Sequence, residues 1–229
     1  MQAGSFWRLL ADAVMVLIPM ILSLTVHEFS HAFVAKRLGD NTAEAAGRLN
    51  LNPMNHADPF GTLLLPLLIL MANGATGLGR IPFFGWAKPV PVNAGRFTRK
   101  ITARTGNTLV AAAGPVSNLL LSLVCAALLS VAEHTALGAS LAPPLKTLLI
   151  QMLFINGGLF VFNMIPIYPL DGEKVVAGFL STSNAIAFER FNRQFGTWVL
   201  WGIIFFARDL IAYPAQLVVS GVLTVVGLS

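Results

Sequence analysis

The sequence predicts an all-α polytopic membrane protein, a bundle of about five to six transmembrane or re-entrant helices with a small membrane-associated β element near residues 80–93. Composition points there first: 55% of the 229 residues are hydrophobic and 11% charged, about half the charge of an average soluble domain, with mean hydropathy +0.73. The pattern points there second. Residues 13–26, 59–79, 107–132, 147–170 and 210–229 contain no Asp, Glu, Lys, Arg or His, and several of these runs reach the roughly 20 residues that a helix needs to cross a bilayer. The formal charge of +5 comes third, because basic residues that flank apolar runs set membrane orientation rather than bind phosphates, which excludes nucleic acid as a partner.

Residues 9–38 read as one helix, apolar first and polar last, closed by Lys36, Arg37 and Gly39 as suits a helix C-terminus. Only Arg8 precedes the apolar run and no small-residue cleavage site precedes His27, so a first membrane helix is expected rather than a removable signal. Residues 40–59 are polar and turn-rich. The run Phe60–Met71 would be only about 18 Å long as a helix, short for a full span and suited to a re-entrant excursion. In residues 80–93, RIPFFGWAKPVPVN, the prolines 82, 89 and 91 argue against a helix or a central strand and leave an edge strand. Spans over 107–132 and 145–167 follow, then an amphipathic piece from Asp171 to Arg193. The apolar region Phe195–Leu228 is broken by Arg208, Asp209 and Pro214, giving one bent helix or two short ones. Residues 74–106 hold Arg80, Lys88, Arg96, Arg99, Lys100 and Arg104 with no acid, which places that segment in the cytoplasm. No internal repeat or appended soluble domain is visible, so residues 1–229 form a single membrane-embedded domain, its core at about 9–180 and a helical C-terminal region at 194–229.

The chemistry sits in the last third of the first helix. His27-Glu28-Phe29-Ser30-His31 is an H-E-x-x-H pattern; four residues turn a helix through about 400°, so both imidazoles stack on one face and can meet one Zn²⁺. Glu28 lies on the adjoining face, where it can hold a water at the metal and take its proton. In a shuffled chain of this composition the pattern would arise with a chance of about 0.0015. A polar cluster that merely ties helices together is the structural alternative. Cys125 is the one cysteine and lies in an apolar run, so a metal must rest on His and carboxylates. A catalytic zinc needs a third protein ligand, for which Asp171, His56, Asp58, His134 and Glu133 are candidates. Asp171 follows Pro166 and Pro169, which can unwind the end of a span and aim the carboxylate inward; His56 and His134 lie in polar or outward-facing segments.

HEFSH at His27–His31, GPVSN at Gly114–Asn118 and NMIPIYPLDG at Asn163–Gly172 occur in this order, and together they resemble the site-2 protease family of intramembrane zinc metalloproteases, peptidase family M50. FGWAKPVPVN at Phe84–Asn93 is similar to a stretch common in bacterial members, while the C-terminal region matches no family motif and the PDZ or CBS domains of some relatives are missing. The resemblance implies that His27, His31 and Asp171 are ligands of one zinc per chain and that Glu28 is the general base. It also implies that Gly114 and Pro115 allow close helix packing, and that Asn118 and Asn163 line the site and contact substrate or the oxyanion. The implied activity is hydrolysis of peptide bonds in or next to transmembrane segments of membrane proteins (regulated intramembrane proteolysis), by a multi-pass protein of a bacterial inner membrane whose partners are a transmembrane substrate and the lipid bilayer. Trp86, Ala87, Lys88, Pro89 and Val90 are then expected to form a substrate-pairing edge strand, against the plainer reading of an amphipathic surface loop. The rival is a membrane zinc-binding or transport protein using the same residues without hydrolysis; Glu28 discriminates, since transport needs no non-ligand carboxylate beside the first histidine.

Overall fold

The computed structural model describes residues 3–76, 85–135 and 142–228, and over them the chain is an all-α membrane protein. Helix α1, Ala3–Arg37, carries the HEFSH motif near its C-terminal end. Its hydroxyls do not stay bare in the apolar stretch: Ser23, Thr25 and Ser30 each donate to the carbonyl four residues back, at 2.7 Å. The helix closes as foreseen, with Lys36 and Arg37 in its last turn and Gly39 at φ 105°. The Asp40 amide reaches the Ala35 carbonyl at 2.9 Å and the Gly39 amide the Lys36 carbonyl at 3.0 Å, a paired closure that needs the left-handed backbone of glycine.

The polar stretch folds into two single turns, α2 (Thr42–Ala45) and α3 (Pro53–His56). Asp58 caps the next element by accepting from the amides of Phe60 and Gly61, and a wide turn over Pro59–Leu64 leads into α4, Leu65–Thr76. Pro59–Ala72 is apolar but shorter than a bilayer-crossing helix requires. Residues 80–84 of the expected β element lie outside the described residues. From Gly85 to Asn93 the chain is extended, yet among the described residues no strand forms there, only one antiparallel bridge between Ala57 and Ala87. The cause is chemical: Pro89 and Pro91 have no N–H, so a regular ladder cannot propagate past Lys88.

Helix α5, Ala103–His134, is capped by the Thr102 hydroxyl and packs along α1 and along α6, Pro143–Met164. The expected amphipathic piece divides into α7 (Asp171–Phe179) and α8 (Thr182–Phe191), separated where Ser181 starts a new cap. The Arg104 guanidinium donates to the carbonyls of Ala177 and Leu180, satisfying the open end of α7 and fixing it to the foot of α5. A wide turn at Asn192–Gly196 leads to α9 (Thr197–Phe206), and α10 (Asp209–Val225) leaves at 76°. The break falls at Ala207–Arg208, while Pro214 is carried inside α10. Among the described residues three helices, within α1, α5 and α6, are long and apolar enough to cross a membrane, or four spans if the bent pair counts as one.

Cys125, Ala126, Leu129, Leu153, Val219 and Val222 form a core where α5, α6 and α10 meet. Small groups bring these helices together. The Ser122 hydroxyl donates across to the Leu153 carbonyl at 2.9 Å, and a Cβ on Gly157 would stand 2.6 Å from Val219. Cross-helix hydrogen bonds of this kind are worth about 0.6 kcal/mol in a membrane.

Candidate metal centre

His27 and His31 lie one turn apart on the α1 face that meets α5, and the loop after α6 delivers Asp171 to the same point at the start of α7. The His27 and His31 Nε2 atoms are 3.0 Å apart, and Asp171 Oδ2 stands 3.1 Å from the first and 3.3 Å from the second. Three corners of a tetrahedron around zinc, with bonds of about 2.0 Å, are about 3.3 Å apart. The observed triangle matches that spacing.

The far sides of the rings decide what faces inward. His31 Nδ1 is 2.7 Å from the Val110 carbonyl, which can only accept, so that nitrogen carries the proton. His27 Nδ1 is 2.6 Å from Asn118 Oδ1, and the Asn118 Nδ2 donates to Asn156 Oδ1 at 2.7 Å and to the Ser23 carbonyl at 3.3 Å, so the tautomer assigned to His27 is the same. In that neutral tautomer two Nε2 lone pairs and a carboxylate oxygen face one another at about 3 Å, a repulsion that a metal cation between them, or a proton on one Nε2, relieves. The donor set fits a zinc ion.

Gly114 lets α5 come this close, since a Cβ there would stand 2.5 Å from His31 ring atoms and 2.6 Å from His27 Cε1. Gly172 does the same for α7, where a Cβ would meet the Met164 carbonyl oxygen at 2.4 Å. Glu28 is buried beside the triangle, and its carboxylate and the two imidazoles offer ligand atoms all within 4.8 Å of one another, a gap that one water can bridge. One Glu28 oxygen, Oε2, accepts from the Val90 amide at 3.0 Å. These groups share a cavity of about 960 Å³, which Trp86, Ala87, Pro89, Val90 and Asn163 also line. Glu173 lines it too; burial, with Glu189 nearby, pushes its carboxyl up.

The other ligand candidates are committed elsewhere. His56 is buried under the extended segment with Nε2 on the Asn50 carbonyl at 2.7 Å, and Asp58 caps the turn before α4. Glu133 pairs with Lys146 at 3.4 Å, and His134 bonds the Ser130 carbonyl at the other end of α5. Asn163 lies on the cavity wall with one amide hydrogen on the Leu159 carbonyl at 3.0 Å. Asn118 is not on the wall: it is fully buried behind His27. Two residues of this site were not foreseen. Asn156 joins Asn118 to the Ser23 hydroxyl at 2.8 Å, and its signal was an amide, one of three with Gln151 and Asn163, in the apolar run 147–170. Val110 contributes only a carbonyl, which no residue pattern could announce.

YwhC of Bacillus subtilis, named provisionally as a zinc metalloprotease, is 39% identical over 210 residues, which cover 85% of this chain and 87% of YwhC. The chain belongs to the YwhC family of zinc metalloproteases. Rip2 of Mycolicibacterium smegmatis, another provisionally named zinc metalloprotease, is 33% identical over 179 residues, 76% of this chain and 61% of Rip2. The zinc metalloprotease MJ0392 of Methanocaldococcus jannaschii is 23% identical over 181 residues and is spanned over 37% of its length. No family model matches the chain, and no solved structure does. In a zinc metalloprotease, hydrolysis needs a place for the metal and a carboxylate next to it, and the triangle of His27, His31 and Asp171 with Glu28 alongside would fit both.

Proposed function

We propose that the chain is an intramembrane member of the site-2 protease family (peptidase family M50), hydrolysing peptide bonds in or next to transmembrane segments of other membrane proteins. The observation that carries this reading is the burial of His27, Glu28 and His31, with the half-buried Asp171 against them, beside helices apolar enough to lie in a bilayer. A charged side chain such as Asp at the centre of a membrane helix costs about 2.5–3.5 kcal/mol, so ionisable residues in apolar spans are retained where they work. His27, His31 and Asp171 hold one zinc per chain, which when bound polarises the scissile carbonyl and acidifies water. Glu28 accepts a proton from the attacking water and returns it to the departing amine nitrogen as the carbon–nitrogen bond breaks. Asn163 has a second amide hydrogen to offer a substrate carbonyl on the cavity wall, and Asn118 keeps His27 in place.

Substrate reaches the site as an unwound strand along Trp86–Val90. The groups of Trp86 and Lys88 are tied to the body of the protein through Gly61, Thr62, His56 and Arg48. In an extended chain alternate residues face opposite ways, so the backbone of Ala87 and Pro89 is the side left for pairing. The protein is a multi-pass component of a bacterial inner membrane, with residues 74–106 cytoplasmic and a membrane-embedded protein substrate as its partner. Comparison of membrane proteomes from cells with the active protein and with Glu28→Gln tests this. Fragments that end in or beside transmembrane segments and depend on Glu28 support it, and identical proteomes contradict it.

A further inference from the structure

Pro89-Val90-Pro91 contains one backbone N–H, because neither proline has a donor, and that N–H is the one on Glu28 Oε2 at 3.0 Å. The two prolines also restrict the residues before them, Lys88 and Val90, to extended backbone. This short rigid piece is held from both ends. On one side the Lys88 amide donates to the His56 carbonyl at 2.8 Å, and Arg48 donates to the Lys88 carbonyl at 2.6 Å. On the other side the Asn93 amide donates to Asp40 Oδ2 at 2.6 Å, and Asp40 is itself fixed to the end of α1 through its amide on the Ala35 carbonyl. Both anchors lie within three residues of Val90, and one of them belongs to the chain that leaves the helix bearing Glu28.

Glu28 has a long side chain, and without a restraint its carboxylate would sample several rotamers over the cavity. The Val90 amide occupies only Oε2. No protein group bonds Oε1 among the described residues, and Glu28 lines the cavity. The two oxygens therefore divide the work: one is anchored, and the other is free to meet water. We propose that the Val90 amide is a positioning group for the general base, holding the Glu28 carboxylate in the orientation that proton transfer requires. This rests on the proteolytic reading above, and it assigns to the proline-flanked segment a task on its inner edge separate from any pairing on its outer one.

Replacing Val90 by its α-hydroxy analogue during cell-free synthesis into lipid nanodiscs turns the Pro89–Val90 amide into an ester, deleting the N–H while leaving the side chain. The assay is cleavage of a membrane-embedded substrate, with zinc content read on the same samples. The expected result is a fall in kcat of about tenfold or more, the order of a hydrogen bond to a charged group, with KM and zinc content close to the wild-type values. The same α-hydroxy replacement at Leu51, an exposed loop residue outside the cavity, controls for the ester chemistry and should leave kcat within about threefold of wild type. A kcat for the ester equal to wild type overturns the proposal, as does a change confined to KM. If the wild-type protein itself does not cleave, the proteolytic reading fails instead.

A second measurement stands even if the ester chain does not fold. Val90 has the one exchangeable backbone amide between the two prolines, and its assigned resonance in 15N-valine-labelled protein follows its hydrogen exchange by NMR. It should exchange at least about tenfold faster in Glu28→Ala than in the wild type. Equal exchange in the two proteins overturns the proposal.

Discussion

A methyl group at Gly114 would collide with His27 and His31, two of the three proposed zinc ligands. The Cβ of Gly114→Ala stands 2.5 Å from Cε1 and Nε2 of His31 and 2.6 Å from Cε1 of His27, against an ordinary contact of 3.4 Å or more, a shortfall of about 0.9 Å. The neighbours are ring atoms pinned on their far sides by Val110 and Asn118, so rotation cannot absorb it. Ligand positions tolerate only about 0.2 Å. The displacement therefore moves Nε2 atoms off the zinc geometry, or drives α5 from α1 at an overpacking cost of about 1–3 kcal/mol. We expect the zinc dissociation constant to rise about 100-fold, the upper end for changes around a metal site. Competition with a fluorescent chelator in detergent micelles, with melting curves on the same samples, measures both. Two other glycines calibrate the result. Gly202→Ala meets nothing within 4 Å and should change neither quantity, whereas Gly106→Ala puts its Cβ 2.3 Å from the Phe97 ring and should lower stability while sparing zinc. A folded Gly114→Ala protein that binds zinc within about threefold of wild type refutes the argument.

The donor set predicts about one zinc per chain, lost in His27→Ala and His31→Ala and weakened in Asp171→Ala but retained in His56→Ala; atomic absorption on purified proteins decides, and a reversed result for Asp171 and His56 reassigns the third ligand. Asn118→Ala removes the partner of His27 Nδ1 and should weaken zinc binding about 10- to 100-fold while also lowering the melting temperature, because Asn156 Oδ1 and the Ser23 carbonyl lose a buried donor; unchanged affinity would show that the ring needs no such support. Asp40 carries a pH signature. Burial pushes its carboxyl up, but the amides of Asn93 and Thr42 and the Thr42 hydroxyl more than offset this and hold it below its ordinary value of 3.8. A carboxyl lowered in the fold adds stability that is fully present above its unfolded value and lost as pH falls through the folded one. The stability difference between wild type and Asp40→Asn should thus be flat above about pH 5 and shrink below pH 4; a gap that widens on acidification would reverse the sign.

Much of the site was legible because the information is local. Residues four apart on a helix share a face whatever surrounds them, so His27 and His31 could be paired from the sequence, and Gly39 with Lys36 and Arg37 marked the end of α1. The third proposed ligand was not legible from spacing. Asp171 is 140 residues from His31, and its arrival depends on α5 and α6 packing side by side and on α7 seating against α5. The residues alone left five candidates, and the family resemblance singled out Asp171. The prolines at 89 and 91 announced an extended segment but also prevented the ladder expected there, leaving a single bridge at Ala57–Ala87. That the same prolines isolate one amide over Glu28 is a three-dimensional fact. In the C-terminal region the sequence offered Arg208, Asp209 and Pro214 as breaks, and the chain bends at Ala207–Arg208. Arg208 there lines a second, mostly apolar cavity with Met20, Leu24 and Ile204.

In the proposed reaction Glu28 does proton-transfer chemistry beside a zinc that it does not hold. The direct measurement is the cleavage rate of a membrane-embedded substrate by purified Glu28→Gln, with zinc determined on the same preparation. The amide keeps the shape of the carboxylate but cannot take a proton, so the account predicts zinc at the wild-type level with cleavage slowed more than about 100-fold. Wild-type cleavage by the zinc-loaded variant would contradict it.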